Sequence, residues 1–213
     1  MNRTAFVLRV KPGKQAAFLA AGEALWAEIQ TALDGLGMTN FSVWSICDFM
    51  FCYGEAPDET APEAIRAAVD GIAAKLADSA EVLAEPGTMR LMYHDIGVVR
   101  TDKSLIRHRV FATHLKPGCA EEYKARHDGL IAARGDKVSE GPESNFTIWC
   151  ADGEYNFGYC ELVKSFDHEM TEEEKASTIA WETRQLEIMD WLTDDVDWMT
   201  GQKHDKMLRV CGM

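Results

Sequence analysis

Tyr123 and His127 stand four positions apart in the stretch EEYKARHDGLI, residues 121–131, which reads as helix. At that spacing two side chains lie one above the other on a single helix face. Imidazole, with an ordinary pKa of about 6.5, takes up or releases a proton at neutral pH and is the natural general acid and base. A phenol, near pKa 10, acts mainly as a hydrogen-bond donor to an oxygen on which charge develops. The pair therefore suits proton transfer at a polar carbon–oxygen centre, and this chemistry requires neither a metal nor a cofactor. An equivalent stretch earlier in the chain, AAFLAAGEALW at 16–26, has Phe18 and Gly22 in the corresponding places. Neither side chain can move a proton.

The correspondence extends beyond the helix. FVLRVKPG at 6–13 aligns with FATHLKPG at 111–118, and NFSVW at 40–44 aligns with NFTIW at 145–149, both at an offset of 105. Two independent matches in one register mark an old internal duplication. In each half a strand ends at Lys-Pro-Gly, where Pro and Gly stop it and a helix begins. Two strands follow, joined through Cys-Asp in the first half and through Asp-Gly-Glu, with its Asp-Gly turn chemistry, in the second. A second helical segment comes next, alanine-rich at 61–83 and acidic with tryptophans at 171–199. Each half closes on a short strand, TMRLMYH or KMLRVCG.

This order is the split βαβ pattern of ferredoxin-like folds. Helices cover one face of such a sheet, and the other, apolar face must also be buried. The expectation is an α+β chain of two tandem ferredoxin-like (βαββαβ) halves, 1–95 and 107–213, linked by 95–106. They would pack sheet to sheet as an intramolecular dimeric α/β barrel.

Bulk properties exclude several classes of partner. A formal charge of −13 in 213 residues and a sequence pI near 4.9 argue against nucleic acid and anionic membrane, both of which need a basic surface. No run of about 18 apolar residues and no leader-type segment is present, which points to the cytoplasm. The six cysteines, Cys47, Cys52, Cys119, Cys150, Cys160 and Cys211, form no C-x-x-C pair and have no metal-type spacing. They read as free thiols, and no metal site is expected.

RHRVFATHLKPGCAEEYKARHDGL at 107–130, followed by NFTIW and a hairpin, resembles the L-rhamnose mutarotase family. Members are small dimeric α/β-barrel proteins about as long as one half of this chain. The resemblance covers nearly all of 107–211 and rests on Glu121, Glu122, Tyr123, His127, Asn145, Phe146, Ile148 and Trp149. It implies that His127 is the acid/base group with Tyr123 beside it, and that second-helix tryptophans, Trp191 among them, line a sugar pocket. It implies a monosaccharide partner and no cofactor.

Mutarotation takes the proton from an anomeric hydroxyl, protonates the ring oxygen and closes the ring on the other carbonyl face, which suits this pair. A deoxy-sugar would meet Trp149 or Trp191 with its apolar face and Asn145 with its hydroxyls, with Glu161 and Asp128 as further polar contacts. Strand alternation directs His114 into the barrel. Blander readings stand beside these: Trp149 matches Trp44 in the first half and so reads also as core, and His127 alone reads as a helix-surface histidine. The family's closing aromatic-Tyr strand is missing from the ending VCGM, whereas LMYH in the first half supplies Tyr93. The first half, lacking the tyrosine and histidine, reads as a degenerate repeat kept as scaffold.

Two other classes stay open. One is a dimeric α/β-barrel oxygenase or haem-binding protein with the helix histidine on iron, and the other is a sugar-binding module without turnover. The sugar's identity and association of pseudo-dimeric chains into a homo-oligomer are open as well.

Overall fold

The computed structural model describes residues 1–139, 143–163, 171–194 and 208–212. The chain is α+β, and its described residues form two antiparallel five-stranded sheets and four α-helices. Clustering of backbone contacts divides it into two units, Met1–Arg90 with Met207–Met213, and Leu91–Lys206.

The first unit contains β1 (Asn2–Val10), α1 (Gln15–Gly35), β2 (Thr39–Ile46), β3 (Phe49–Ala56), α2 (Pro62–Leu76) and β4 (Ala80–Ala84). The second begins with β5 (Arg90–Asp95), whose first residue still clusters with the first unit. It continues through β6 (Ile106–Leu115), α3 (Ala120–Arg134), β7 (Glu143–Ala151), β8 (Tyr155–Val163), α4 (Glu172–Gln185) and β9 (Met189–Asp194). The last strand, β10 (Leu208–Gly212), returns to the first sheet. The sheet orders are β10-β2-β3-β1-β4 and β5-β7-β8-β6-β9.

Three features differ from the sequence reading. The helical segments end sooner than 83 and 199, because Ala80–Ala84 and Met189–Asp194 are strands paired antiparallel with β1 and β6. Trp191 therefore lies on a strand and not on the second helix, while Trp198 falls outside the described residues. The closing strands are also exchanged: β5 sits beside β7 in the second sheet and β10 beside β2 in the first. A cut at residue 95 thus removes β5 from the sheet that it completes.

Local chemistry accounts for the repeated features. At Lys-Pro-Gly the glycines take left-handed φ of 74° (Gly13) and 78° (Gly118), which suits the turn from strand to helix. Asp152 and Gly153 also have positive φ, and the Glu154 N–H donates to the Ala151 carbonyl at 3.1 Å, closing the hairpin as the Asp-Gly pair implies. Thr171 caps α4 in a reciprocal capping box with Glu174.

Asn40 and Asn145 have φ of 50° and 52° at register shifts in β2 and β7. Asparagine tolerates this region better than most residues, and the extra residue in the strand forms a bulge. Both asparagines donate to a buried glutamate, Asn40 to Glu55 at 3.2 Å and Asn145 to Glu161 at 3.0 Å. A tyrosine hydroxyl, of Tyr53 or Tyr159, donates to the same carboxylate oxygen at 3.0 Å.

Helices pack on one face of each sheet. In the first unit Leu8, Val10, Phe18, Met50 and Leu76 gather there. In the second, Met92, Phe111, Leu115, Tyr123, Ile148 and Met189 do so.

Candidate active site

Among the residues of helix α3 only Tyr123 and His127 are buried, at 3% and 5% exposure. Their rings stack with centroids 4.2 Å apart and planes at 28°. His127 Nδ1 lies 2.9 Å from the Tyr123 backbone carbonyl. A carbonyl only accepts, so Nδ1 carries the proton in that bond and the neutral imidazole keeps its lone pair on Nε2. Burial holds the His127 pKa below 6.5, outweighing the opposing effect of the backbone bond. The ring is thus a neutral base at physiological pH, and burial, with the Glu182 carboxylate second, keeps the Tyr123 phenol protonated.

Both residues line a cavity of about 180 Å³ between the second sheet and its helices. Trp181 from α4 meets the His127 ring edge-on at 5.3 Å, and Tyr93 from β5 does so at 5.3 Å from another direction. Burial, followed by the charge of Asp95, pushes the Tyr93 pKa up to about 12, so it too is a donor. Phe111, Phe146 and Trp191 build an aromatic wall, with Phe111 edge-on to the other two at 6.0 and 5.5 Å. The Arg109 guanidinium lies 5.1 Å from the Phe111 ring centre, with one nitrogen 3.9 Å from Glu143. A Cβ at residue 158 would overlap the Phe111 ring, so Gly158 is what lets that ring lie flat on the sheet.

Two polar side chains on the cavity wall are buried without a partner among the described residues. Thr113 Oγ1, on a fully buried residue, and both amide atoms of Gln185, 2% exposed, have none. Each such group costs about 1–3 kcal/mol unless something satisfies it, and a hydroxyl-bearing ligand would.

The structure brings Tyr123, His127 and Trp191 together here, and it places the other sequence candidates elsewhere. Asn145 holds the β7 bulge and donates to Glu161, as Asn40 does to Glu55 in the first unit. Glu161 is fully buried and takes Lys103 Nζ at 2.8 Å, so it is occupied. Trp149 alternates to the opposite side of β7 from Phe146 and Ile148, which line the cavity. His114 likewise alternates away from Phe111 and Thr113 and stacks on Tyr155 at 5.0 Å. Asp128 is exposed and pairs with Lys124.

Trp181, one of the tryptophans of the second helical segment, lies on α4 and lines the cavity, whereas Arg109, Thr113, Glu182 and Gln185 carry no signal in the sequence. Among the described residues no group of three or more His, Cys, Asp or Glu is placed to hold a metal ion. Among them, too, no helix is long and apolar enough to cross a membrane.

The L-rhamnose mutarotase family model matches residues 3–77 and 108–210. This chain belongs to that family. A monooxygenase candidate from Fusobacterium nucleatum subsp. nucleatum aligns in structure with a TM-score of 0.46 and 11% identity, over 97% of this chain and 95% of the other. Comparison with curated proteins finds no match.

Proposed function

We propose that the second unit interconverts the α and β anomers of L-rhamnose or a related 6-deoxy-hexose, acting as an isomerase through His127 and Tyr123. The observation that carries this reading is the hydrogen bond from His127 Nδ1 to the Tyr123 carbonyl, 2.9 Å long, which leaves Nε2 as the base in a cavity that also holds unpaired Thr113 and Gln185. Nε2 takes the proton of the anomeric hydroxyl as the bond from C1 to the ring oxygen breaks. The imidazolium so formed returns that proton to the ring oxygen, and the Tyr123 hydroxyl donates to the oxygen on which charge develops. Rotation about C1–C2 presents the other carbonyl face, and the same steps in reverse close the ring.

The cavity's two kinds of wall suit a deoxy-sugar. Phe111, Phe146 and Trp191 meet C–H groups and the methyl, while Thr113 and Gln185 meet hydroxyls. A space of about 180 Å³ accepts one sugar ring and not a porphyrin macrocycle, which weighs against the haem reading. The same proposal takes the chain as tandem ferredoxin-like halves. Setting aside the exchanged edge strand, each sheet runs fourth, first, third, second in chain order, and the family match falls in two segments.

Saturation-transfer NMR across L-rhamnose, other 6-deoxy-hexoses and ordinary hexoses tests the function. Anomer exchange above the uncatalysed rate for 6-deoxy sugars is the expected result. Binding at the uncatalysed exchange rate would make the unit a sugar-binding module, and a Soret band on the purified protein would revive the haem reading.

A further inference from the structure

The first unit holds a cavity of about 560 Å³ in the place where the second unit holds its site, between sheet and helices. A repeat kept only as scaffold is expected to close such a space, because unfilled core volume destabilises. Here the space is larger than in the second unit, and its polar groups have been replaced. At the offset of 105, Leu8 stands for Thr113, Phe18 for Tyr123, Gly22 for His127 and Met38 for Glu143.

The strand pairings set the register for the second helices, since Val10 faces Ala80 as Leu115 faces Met189. In that register Ala73 stands for Glu182 and Leu76 for Gln185, and all four line the respective cavities. None of the first cavity's polar side-chain atoms is buried without a partner, whereas the second cavity has Thr113 and Gln185 in that state. A Cβ at Gly22 would meet nothing within 4 Å, so the missing histidine side chain has left open room.

We propose that the first unit binds an uncharged, hydrocarbon-rich small molecule in this cavity, at the position where the second unit holds Tyr123 and His127. Volume and lining select the ligand. About 560 Å³ lies within the range of drug-sized ligand pockets, and a wall that is apolar apart from Glu23, the Trp26 indole and the Cys52 thiol gives few hydrogen bonds to a sugar. Glu23, exposed, is the one charged side chain of the wall, and with the chain's charge of −13 it disfavours a carboxylate and accepts a hydroxyl end. This site does not depend on the exchange reaction assigned to the second unit.

The test is a fluorescence titration of the full chain with N-phenyl-1-naphthylamine, a neutral apolar probe, followed by displacement with 1-decanol and with decanoate. Saturable binding of one probe per chain is expected, with 1-decanol displacing it and decanoate about ten-fold weaker. Gly22→Leu and Ala73→Leu each put a side chain into the space and are expected to weaken the probe by about ten-fold. Both also favour or tolerate helix, and melting curves report whether each is folded. Anomer exchange is expected to be unchanged in Gly22→Leu. Failure of the unmodified chain to bind the probe saturably overturns the proposal, whatever the variants do. Undiminished binding in either folded variant overturns it as well.

Discussion

At the scale of the residue, His127 combines a fixed tautomer with a depressed pKa. If Nε2 is the base, exchange is fully present above pH 6.5 and falls as pH drops through the folded-state pKa, below 6.5, where the ring becomes charged. Stability follows the same sign. The unfolded histidine binds its proton at a higher pH than the folded one, so folding is favoured above pH 6.5 and loses this contribution as pH falls. A pH profile of exchange, with melting curves in the same buffers, checks both; a rate that does not fall at any pH below 6.5 at which the chain stays folded would remove His127 as base.

His127→Ala is expected to lose roughly 10²–10⁴-fold in exchange rate while remaining folded. Tyr123→Phe keeps the ring stacked at 4.2 Å and deletes only the hydroxyl, so its expected loss is about the worth of one hydrogen bond to a charged group, ~1.5–3 kcal/mol of barrier. Full activity in folded His127→Ala would leave the pair as ordinary core.

At the scale of the element, two strands do work that their place in the chain does not announce. Met92 on β5 comes from the first half of the sequence, yet it is fully buried in the core of the second unit. Met92→Ala is therefore expected to cost about 2–5 kcal/mol and to loosen the second unit first. Hydrogen exchange followed by peptide mapping locates the loss: faster exchange in β7 and β8 with β1 and β3 unchanged is the expected pattern.

The bulged asparagines give a second contrast. Asn40→Ala and Asn145→Ala each remove a donor from a buried glutamate and place alanine at positive φ, so similar losses of about 1–3 kcal/mol are expected in the two units. Denaturant melts of the pair measure this. A much larger effect of Asn145→Ala on sugar binding than on stability would return Asn145 to the site.

At the scale of the whole molecule, the chain as proposed has two related frames and one set of proton-moving side chains. Titration of the full chain with L-rhamnose is expected to find one site per chain, with Tyr93, Tyr123 and His127 resonances perturbed and Phe18 unaffected. Two equivalent sites would contradict this.

The sequence alone determined much of this. The offset of 105 pointed to a repeat through comparison of the chain with itself, while Pro-Gly and Asp-Gly marked the turns and the Tyr123 to His127 spacing identified a shared helix face, because these two depend on neighbours within a few residues. The strand exchange was decided only by the tertiary structure. An edge strand pairs through backbone groups that every residue carries, so TMRLMYH and KMLRVCG did not state which sheet each would join. The same applies to the rest of the site. Arg109 and Thr113 come from β6, Trp181 and Gln185 from α4, and only the packing of α4 over β6 and α3 determines that they face one cavity. Asn145 and Trp149 looked like ligand contacts in the linear motif, but a bulge and the period of two in β7 assigned them to a buried carboxylate and to the opposite sheet face.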